Sequence, residues 1–184
     1  MPIRDVTDLP ICLLVLDGDH TLWNPLDTTC VSEGYPDDPL GGTEFGFRPA
    51  PDNPDLVIRE DGVRFEVMPG ARAALERLHA SGVRLAVASY NHFAPVLALL
   101  EAFGLRPLFS QVVAEWHSDK AAMLRTILAA EAAAGRPTRP ETVLFVDDDP
   151  SSSYREMAAS VGVSFAQMGN EVQNYDDIER LCTS

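Results

Sequence analysis

Residues 11–21 read Ile-Cys-Leu-Leu-Val-Leu-Asp-Gly-Asp-His-Thr, an unbroken apolar run that stops abruptly at an aspartate. Six consecutive apolar residues are typical of a strand buried on both faces, as strands of a parallel sheet are. Asp17 and Asp19 follow on the backbone that leaves this strand, where two carboxylates two residues apart can point the same way. The stretch therefore predicts a central parallel strand with an acidic pair at its carboxyl end.

Two later stretches repeat this pattern. Residues 83–88, apolar except for Arg84, form a run that stops at Ser89, and residues 142–146, apolar after Thr142, form another that stops at Asp147. In open α/β sheets, ligands bind at the carboxyl ends of the strands. Three buried strands that each deliver a small polar or acidic residue at that end predict one shared site.

Helical patterns fill the intervals between these runs. A doubly wound parallel α/β sheet, with helices on both faces, is the fold that such alternation predicts. Ser118 is the expected N-cap of the third helix. The predicted helices cover residues 71–80, 92–103, 118–134, 154–160 and 174–182, and further strands are predicted over 109–114 and 163–166.

One segment after the first strand breaks this rhythm. Residues 24–54 contain six prolines and four glycines, too many for regular structure. Residues 56–67 then predict a hairpin that turns at Asp61-Gly62. We interpret residues 1–184 as a single domain in which residues 24–67 are a Pro/Gly-rich insertion plus a β-hairpin flap.

The overall composition excludes several classes of partner. A formal net charge of −14 disfavours nucleic acid and anionic membranes as partners. No run approaches the roughly 20 apolar residues that a membrane span needs, and the first residues lack signal-peptide character. Three cysteines without paired metal spacing favour a reducing compartment. We therefore expect a cytoplasmic protein, and nothing in the sequence indicates its oligomeric state.

Four short motifs together resemble those of the haloacid dehalogenase-like superfamily. The pattern Asp-x-Asp-x-Thr at residues 17–21 resembles motif I, Ser89 motif II, Lys120 motif III, and the aspartates 147–149 motif IV. They occur in the family's order, and the resemblance spans residues 11–166. Taken singly each motif is weak, since an acidic pair is often a capped turn and a lysine on a helix is often only solvated. Together they are specific, and they imply the family's α/β Rossmann-like fold.

The end of the first motif resembles one branch of this superfamily in particular. Thr21-Leu22-Trp23 is similar to a branch that contains magnesium-dependent phosphatases and domains that load glyceryl groups onto carrier proteins. The resemblance implies a phosphatase that acts on a small phosphorylated metabolite or a phosphoprotein. The alternatives are a carrier-dependent glyceryl-loading enzyme of the same branch and an inactive binding module that keeps the fold.

The resemblance also implies a role for each catalytic residue. Asp17 is the expected nucleophile, which attacks phosphorus to give an aspartyl-phosphate. Asp19 is the expected acid and base, which protonates the leaving oxygen and later deprotonates the attacking water. Lys120 is the cation expected to offset the clustered aspartates and the phosphate.

Binding residues follow from the same resemblance. Ser89 and the backbone N–H groups of Tyr90 and Asn91 are expected to hold phosphate oxygens. Mg²⁺ is the expected cofactor, because it prefers hard oxygen ligands. Its expected ligands are the side chains of Asp17 and Asp148 and the backbone carbonyl of Asp19. Asp147 is either a further ligand or a partner of Lys120, and Asp149 either binds the metal through water or caps the next helix.

Overall fold

A computed structural model describes residues 9–34 and 46–183. Its central element is a five-stranded parallel sheet with the strand order β7-β6-β1-β8-β9. β1 lies in the middle, where Leu14 is paired with Leu85 on one side and with Leu144 on the other. These strands are β1 (Leu13–Leu16), β6 (Arg84–Ser89), β7 (Phe109–Ala114), β8 (Val143–Asp147) and β9 (Ser164–Gln167).

Five α-helices connect and cover these strands. They are α1 (Ala71–Ala80), α2 (Phe93–Ala102), α3 (Lys120–Ala133), α4 (Ser152–Val161) and α5 (Tyr175–Thr183). Apolar residues of α1, α2 and α5 form one core with the sheet, whereas those of α3 and α4 form a second. The sheet is therefore buried on both faces, which confirms the predicted doubly wound α/β fold and explains why its strands read as apolar runs. None of these helices is long and apolar enough to span a membrane.

A second, antiparallel sheet follows the first strand, with the order β2-β5-β4-β3. Its strands are β2 (Trp23–Pro25), β3 (Phe47–Ala50), β4 (Asn53–Arg59) and β5 (Arg64–Val67). The predicted hairpin is present between β4 and β5, where Gly62 adopts a φ of 94°. The expectation that residues 24–54 lack regular structure was wrong for β2, for β3 and for the first two residues of β4. The strands β2 and β3 are edge strands, and proline is tolerated there because an outward-facing N–H is not needed for pairing. Residues 35–45 of the insertion lie outside the described part.

The third helix also begins differently from the prediction. Asp119, not Ser118, is its N-cap, and the Asp119 carboxylate accepts a hydrogen bond of 2.9 Å from the backbone N–H of Ala122. A side-chain oxygen at this position satisfies one of the free N–H groups of the first turn. Lys120 is therefore the first residue of α3, directly beside the carboxyl edge of the sheet.

Candidate active site

The carboxyl edge of the parallel sheet carries the acidic cluster. Asp17 follows β1, Asp147 ends β8, and Lys120 reaches the same edge from the start of α3. A cavity of about 340 Å³ lies there. It is lined by Asp17, Asp19, His20, Thr29, Tyr90, Asn91, Lys120, Asp147, Asp148, Asp149, Pro150 and Tyr154.

Lys120 lies at the centre of this cluster. Its side chain is 1% exposed, and its ammonium donates hydrogen bonds to Oδ1 of Asp17 at 2.5 Å and to the carbonyl of Ala88 at 2.7 Å. The ammonium also lies 3.1 Å from Oδ2 of Asp147, as an ion pair without hydrogen-bond geometry. Lys120 is the only lysine among the 14 lysine and arginine residues of the chain. The structure therefore brings this single ammonium between two buried carboxylates.

The pKa values reflect an excess of negative charge. Burial raises the pKa of Asp17, and the attraction of Lys120 only partly opposes this effect. Burial, followed by repulsion from Asp17, raises the pKa of Asp147 to about 6. Burial alone lowers the pKa of Lys120, but attraction by Asp17 and Asp147 outweighs it and leaves that pKa above its usual value. One ammonium therefore does not fully offset the burial of these two carboxyl groups, and both are harder to ionise than usual.

Three carboxylates are close enough to hold one cation. Carboxylate oxygens of Asp17, Asp147 and Asp148 lie within 4.8 Å of one another. Oδ2 of Asp147 is buried and, apart from the ion pair with Lys120 at 3.1 Å, has no hydrogen-bond partner within the described residues. Hard oxygen donors with an excess of negative charge fit a divalent ion such as Mg²⁺. The cluster therefore suggests a divalent metal site. In it the Asp147 carboxylate lies beside those of Asp17 and Asp148, the two side chains expected from the sequence to bind the metal.

Asp19 has surroundings unlike those of Asp17. Its Oδ1 accepts hydrogen bonds from the indole N–H of Trp23 at 2.8 Å and from the backbone N–H of Val31 at 3.0 Å. Its Oδ2 accepts one from Nδ2 of Asn91 at 2.6 Å. Burial raises its pKa, and these three neutral donors only partly oppose the rise. The carboxyl group of Asp19 is thus held in place by neutral N–H groups and not by a cation.

A buried arginine of the small sheet contacts the segment that binds Asp19. Arg59, at the end of β4, is 2% exposed and donates from Nη1 to the carbonyl of Val31 at 3.0 Å. It also forms a two-point ion pair with Asp61 in the hairpin turn, at 3.0 and 2.8 Å. The carbonyl of Val31 therefore accepts a hydrogen bond from Arg59, and the N–H of Val31 donates one to Asp19. The small sheet is connected in this way to the acidic pair.

The predicted phosphate-binding residues lie on the turn between β6 and α2. Ser89 is fully buried, and its hydroxyl accepts a hydrogen bond of 2.9 Å from Nδ2 of Asn91. Tyr90 and Asn91 both line the cavity. A Cβ at Gly18 would lie 2.6 Å from the Trp23 ring and 2.7 Å from the Ser89 hydroxyl, closer than real side chains allow. The glycine between the two aspartates is therefore required by close packing.

The last two acidic residues have distinct partners. Asp148 lies 3.5 Å from the hydroxyl of Thr21, and burial raises its pKa. The Thr21 carbonyl in turn accepts a hydrogen bond from the hydroxyl of Tyr175 on α5. Asp149 accepts a hydrogen bond of 2.6 Å from the backbone N–H of Ser151, the N-cap residue of α4. This bond spans two residues and forms an Asx turn before the helix, and α4 has no side-chain cap at its N-cap residue Ser151. The capping role left open by the sequence is therefore not observed for Asp149.

Sequence reasoning missed several contacts of this site. The side-chain role of Asn91 and the contact of Arg59 with Val31 were not foreseen, because both depend on contacts between distant segments. The contact of the buried Trp23 with Asp19, through its indole N–H, was not foreseen either.

Comparison with known proteins identifies the family. A model of the haloacid dehalogenase-like hydrolase family matches residues 44–153. A similar structure is that of a HAD-superfamily hydrolase from Ehrlichia chaffeensis, with 14% identity and a TM-score of 0.62, and the match covers 94% of this chain and 97% of that chain. No curated protein sequence gives a significant match.

Two further structures are similar over parts of longer chains. One is a predicted phosphoglycolate phosphatase from Haemophilus somnus, with 22% identity and a TM-score of 0.53, where the match covers 64% of this chain and 57% of that chain. The other is the N-terminal part of BF1531 from Bacteroides fragilis, which contains a phosphatase domain and is complexed with Mg, with 19% identity and a TM-score of 0.52. That match covers 93% of this chain and 39% of that chain. At these identities the likeness demonstrates a shared fold.

Proposed function

The chain belongs to the haloacid dehalogenase-like hydrolase family, and within it we propose that this protein is a magnesium-dependent phosphatase acting on phosphate monoesters. The observation that carries the proposal is the grouping of Asp17, Asp147 and Asp148 around a single buried ammonium. Such a cluster has more negative charge than its own cation offsets. A divalent metal and a lysine together can reverse the local sign and admit a phosphate.

Asp17 is the proposed nucleophile. One of its carboxylate oxygens attacks phosphorus, the bond from phosphorus to the ester oxygen breaks, and an aspartyl-phosphate forms. A water molecule then attacks the same phosphorus, the bond to Asp17 breaks, and inorganic phosphate is released. The position of Asp17 at the end of a buried strand supports this role, because the sheet holds its backbone rigidly.

Asp19 is the proposed acid and base. In the first step its carboxyl proton passes to the departing ester oxygen, and in the second its carboxylate takes a proton from the attacking water. A raised pKa favours the protonated form that the first step needs. Donors from Trp23, Val31 and Asn91 fix the orientation of the group. These donors are neutral, so none of them holds the Asp19 carboxyl group ionised as a permanent cation would.

The proposed metal ligands are the side chains of Asp17 and Asp148, with the backbone carbonyl of Asp19. The open oxygen of Asp147 makes its carboxylate a further candidate ligand. When bound, Mg²⁺ would neutralise the charge of the transferring phosphoryl group. Lys120 would offset the remaining charge of Asp17 and the phosphate. Ser89 and the N–H groups of Tyr90 and Asn91 are the proposed phosphate contacts.

The described part of the insertion reaches the same cavity. Thr29 lines it, and the backbone N–H of Ser32 donates to Oδ1 of Asn91 at 3.2 Å. We propose that residues 24–67 form a flap of a single domain and that this flap covers the mouth of the site. A flap that contacts both the acid and the phosphate-binding turn is suited to excluding water during phosphoryl transfer.

The test is hydrolysis of a generic phosphate ester with and without Mg²⁺, combined with trapping of the intermediate. We expect turnover that requires the metal, and a radioactive phosphoryl group bound to Asp17 after an acid quench with labelled substrate. Loss of that label in hydroxylamine would identify an acyl-phosphate. A protein that releases phosphate without any acid-stable label at Asp17 would contradict the covalent route. A folded protein that binds Mg²⁺ and hydrolyses no ester would indicate the inactive binding module.

A further inference from the structure

An exposed group of aromatic side chains stands beside the cavity. Tyr90 is 43% exposed and Trp116 is 47% exposed, although both are large and partly apolar. Tyr90 follows β6 and Trp116 follows β7, so both lie at the carboxyl edge of the sheet. Tyr90 is itself part of the cavity lining. Exposed apolar surface next to a site is a mark of ligand contact.

The rings form a continuous arrangement, which we call the aromatic rim: Tyr90, His92 and Trp116. The Tyr90 and Trp116 rings meet edge to face, with centroids 5.2 Å apart. The His92 ring stacks on Trp116 at 4.5 Å, with an angle of 11° between the planes. Both geometries are favourable for aromatic pairs. The rim therefore extends from the wall of the cavity to the indole of Trp116.

The loop that carries Trp116 is firmly tied. The N–H of Glu115 donates to the carbonyl of Ser89 at 3.2 Å, and the Glu115 carboxylate pairs with the His117 imidazole at 2.6 Å. The N–H of Asp119 donates to Nδ1 of His117 at 3.2 Å, immediately before α3 begins. An exposed indole on a braced loop is already ordered, so contact with a ligand loses little conformational entropy.

The charge of the cavity restricts what can accompany the phosphate. Five of its lining side chains are aspartates, whereas its only basic lining residues are His20 and Lys120. The ammonium of Lys120 is already paired with Asp17 and Asp147. Glu115 and Asp119 add negative charge near the rim. With Lys120 paired and five aspartates in the lining, a second anionic group on the substrate would meet an excess of negative charge and would be repelled.

We propose that the aromatic rim is the binding site for the leaving group, and that the substrates are phosphate monoesters whose leaving group carries a flat ring without a further negative charge. This inference rests on the proposed phosphatase function and extends it. The phosphate end is recognised by charge, and the other end is recognised by ring contact. A free aromatic phosphate and a phosphorylated tyrosine side chain share this chemistry.

The main experiment compares benzyl phosphate with cyclohexylmethyl phosphate. Both release a primary alcohol of similar acidity, so they differ chiefly in the flatness of the ring. We expect a higher kcat/KM for the benzyl ester than for the cyclohexylmethyl ester in the wild type. The ratio of these two kcat/KM values should fall about 5-fold in Trp116→Leu and in Tyr90→Leu. Phe93→Leu is the matched control. Phe93 is 49% exposed and close in sequence, but it belongs to neither ring pair of the rim, and its replacement is expected to leave the ratio unchanged.

Three further arms separate the outcomes. 4-Carboxybenzyl phosphate should be the poorest of the aromatic esters because of its extra charge. The kcat/KM for phenyl phosphate is compared with that for a phosphotyrosyl peptide with neutral side chains. The comparison shows whether the preferred substrate is a small molecule or a phosphorylated protein. Calorimetry measures the affinity of benzylphosphonate and of cyclohexylmethylphosphonate for the magnesium-loaded wild type. Equal affinities would overturn the inference, whether or not the protein hydrolyses phosphate esters. Active enzyme with an unchanged ratio in both rim variants would overturn it too, whereas absence of all hydrolysis would contradict the proposed function.

Discussion

The two ends of α3 each hold buried carboxylates beside cations, but the balance of charge is opposite. At its first residue, Lys120 faces Asp17 and Asp147, with Asp148 in the same cluster. Near its last turn, Glu131 is fully buried and accepts hydrogen bonds from Arg84 at 2.5 Å and from Arg136 at 2.9 Å. One end therefore has several anions for one cation, and the other has two cations for one anion.

The pKa values report this difference. Burial raises the pKa of both carboxylates. Repulsion from Asp17 adds to the rise at Asp147, which reaches about 6. At Glu131 the hydrogen bonds from Arg136, Ser110, Arg84 and Gln111 outweigh burial and lower the pKa to about 2. The first group is costly to keep ionised in the fold, whereas the second is stabilised as an anion.

We interpret the Asp17 cluster as a binding site and the Glu131 cluster as a structural ion pair. Glu131 joins the start of β6, through Arg84, to the end of α3, and its carboxylate is paired with both Arg84 and Arg136. The Asp17 cluster lies at the opposite end of the same strand and helix, and an oxygen of Asp147 accepts no hydrogen bond there within the described residues. In the described part of the chain, the only cation beside that oxygen is the Lys120 ammonium, which it shares with Asp17. A fold retains such an excess of buried negative charge where a ligand completes it. The following predictions test this interpretation.

The largest effect is expected from Asp17→Asn. An amide neither attacks phosphorus nor binds Mg²⁺ well, so we expect kcat to fall by a factor on the order of 10⁴ or more. Steady-state hydrolysis of a generic ester and circular dichroism are the measurements. Because the variant loses one of several crowded negative charges, its fold should persist. A variant that keeps more than a few per cent of the activity would eliminate Asp17 as the nucleophile.

Lys120 should have the next largest effect. Lys120→Ala leaves Asp17 and Asp147 without their buried cation, and we expect a loss of about 10²–10³-fold in kcat/KM. Binding of phosphate-mimicking metal fluorides should weaken in parallel. Lys120→Arg should restore part of the activity, because a planar guanidinium does not reproduce a compact ammonium. Activity of Lys120→Ala equal to that of the wild type would mean that the ammonium does not contact the reacting phosphate.

Magnesium should stabilise only one end of α3. At a concentration about 100 times its dissociation constant, a ligand of the folded state stabilises it by about 2.7 kcal/mol. We expect a shift of this order in the unfolding free energy of the wild type and of Glu131→Gln. Asp147→Asn and Asp17→Asn should show a much smaller shift. Equal stabilisation of all four proteins by Mg²⁺ would place the metal elsewhere.

Neutralising one carboxylate at each end should change stability in opposite directions. Without metal at pH 7, Glu131→Gln should lower the unfolding free energy by about 1–2 kcal/mol, a value reduced by the partial exposure of Arg84 and Arg136. Asp147→Asn should raise it by about 1 kcal/mol, since it removes a strained charge. Urea unfolding with a chelator present is the measurement. Asp176→Asn, on a side chain that is 84% exposed, is the neutral control. A loss of stability in Asp147→Asn would show that its charge is well compensated.

Much of the fold was predictable because parallel strands buried on both faces leave a plain apolar signature. The predicted bounds of α1 and β7 agree with the structure, and each apolar run that ends in a polar residue became a strand of the main sheet. The strands β2 and β3 were missed because their pairing is tertiary and their prolines suggested irregular structure. Edge position, which no local pattern reports, makes those prolines tolerable.

The site was predictable in its parts and not in its contacts. Motif order pointed to Asp17, Asp19 and Lys120, and the structure brings all three to one cavity. Their roles remain predictions. The hydrogen bond from Asn91 to Asp19 joins residues 72 positions apart, and the Glu131 cluster joins α3 to β6 and to the loop after α3. Such pairings are set by packing, and a single sequence carries no local signal for them.

The smallest and most diagnostic effect is the dependence of these stabilities on pH. The pKa of Asp147 is raised in the fold, so its contribution to stability is fully present below the unfolded value near 4 and is lost as the pH rises through about 6. The pKa of Glu131 is lowered, so its contribution is present above about 4.5 and is lost as the pH falls toward 2. The advantage of Asp147→Asn over the wild type should therefore grow by about 1 kcal/mol between pH 4 and pH 6.5, while the deficit of Glu131→Gln should shrink below pH 4.5. Chelated protein unfolded by urea across this range gives both curves, with Asp176→Asn as the flat reference. Parallel curves for the two variants would mean that the ends of α3 do not differ in charge balance.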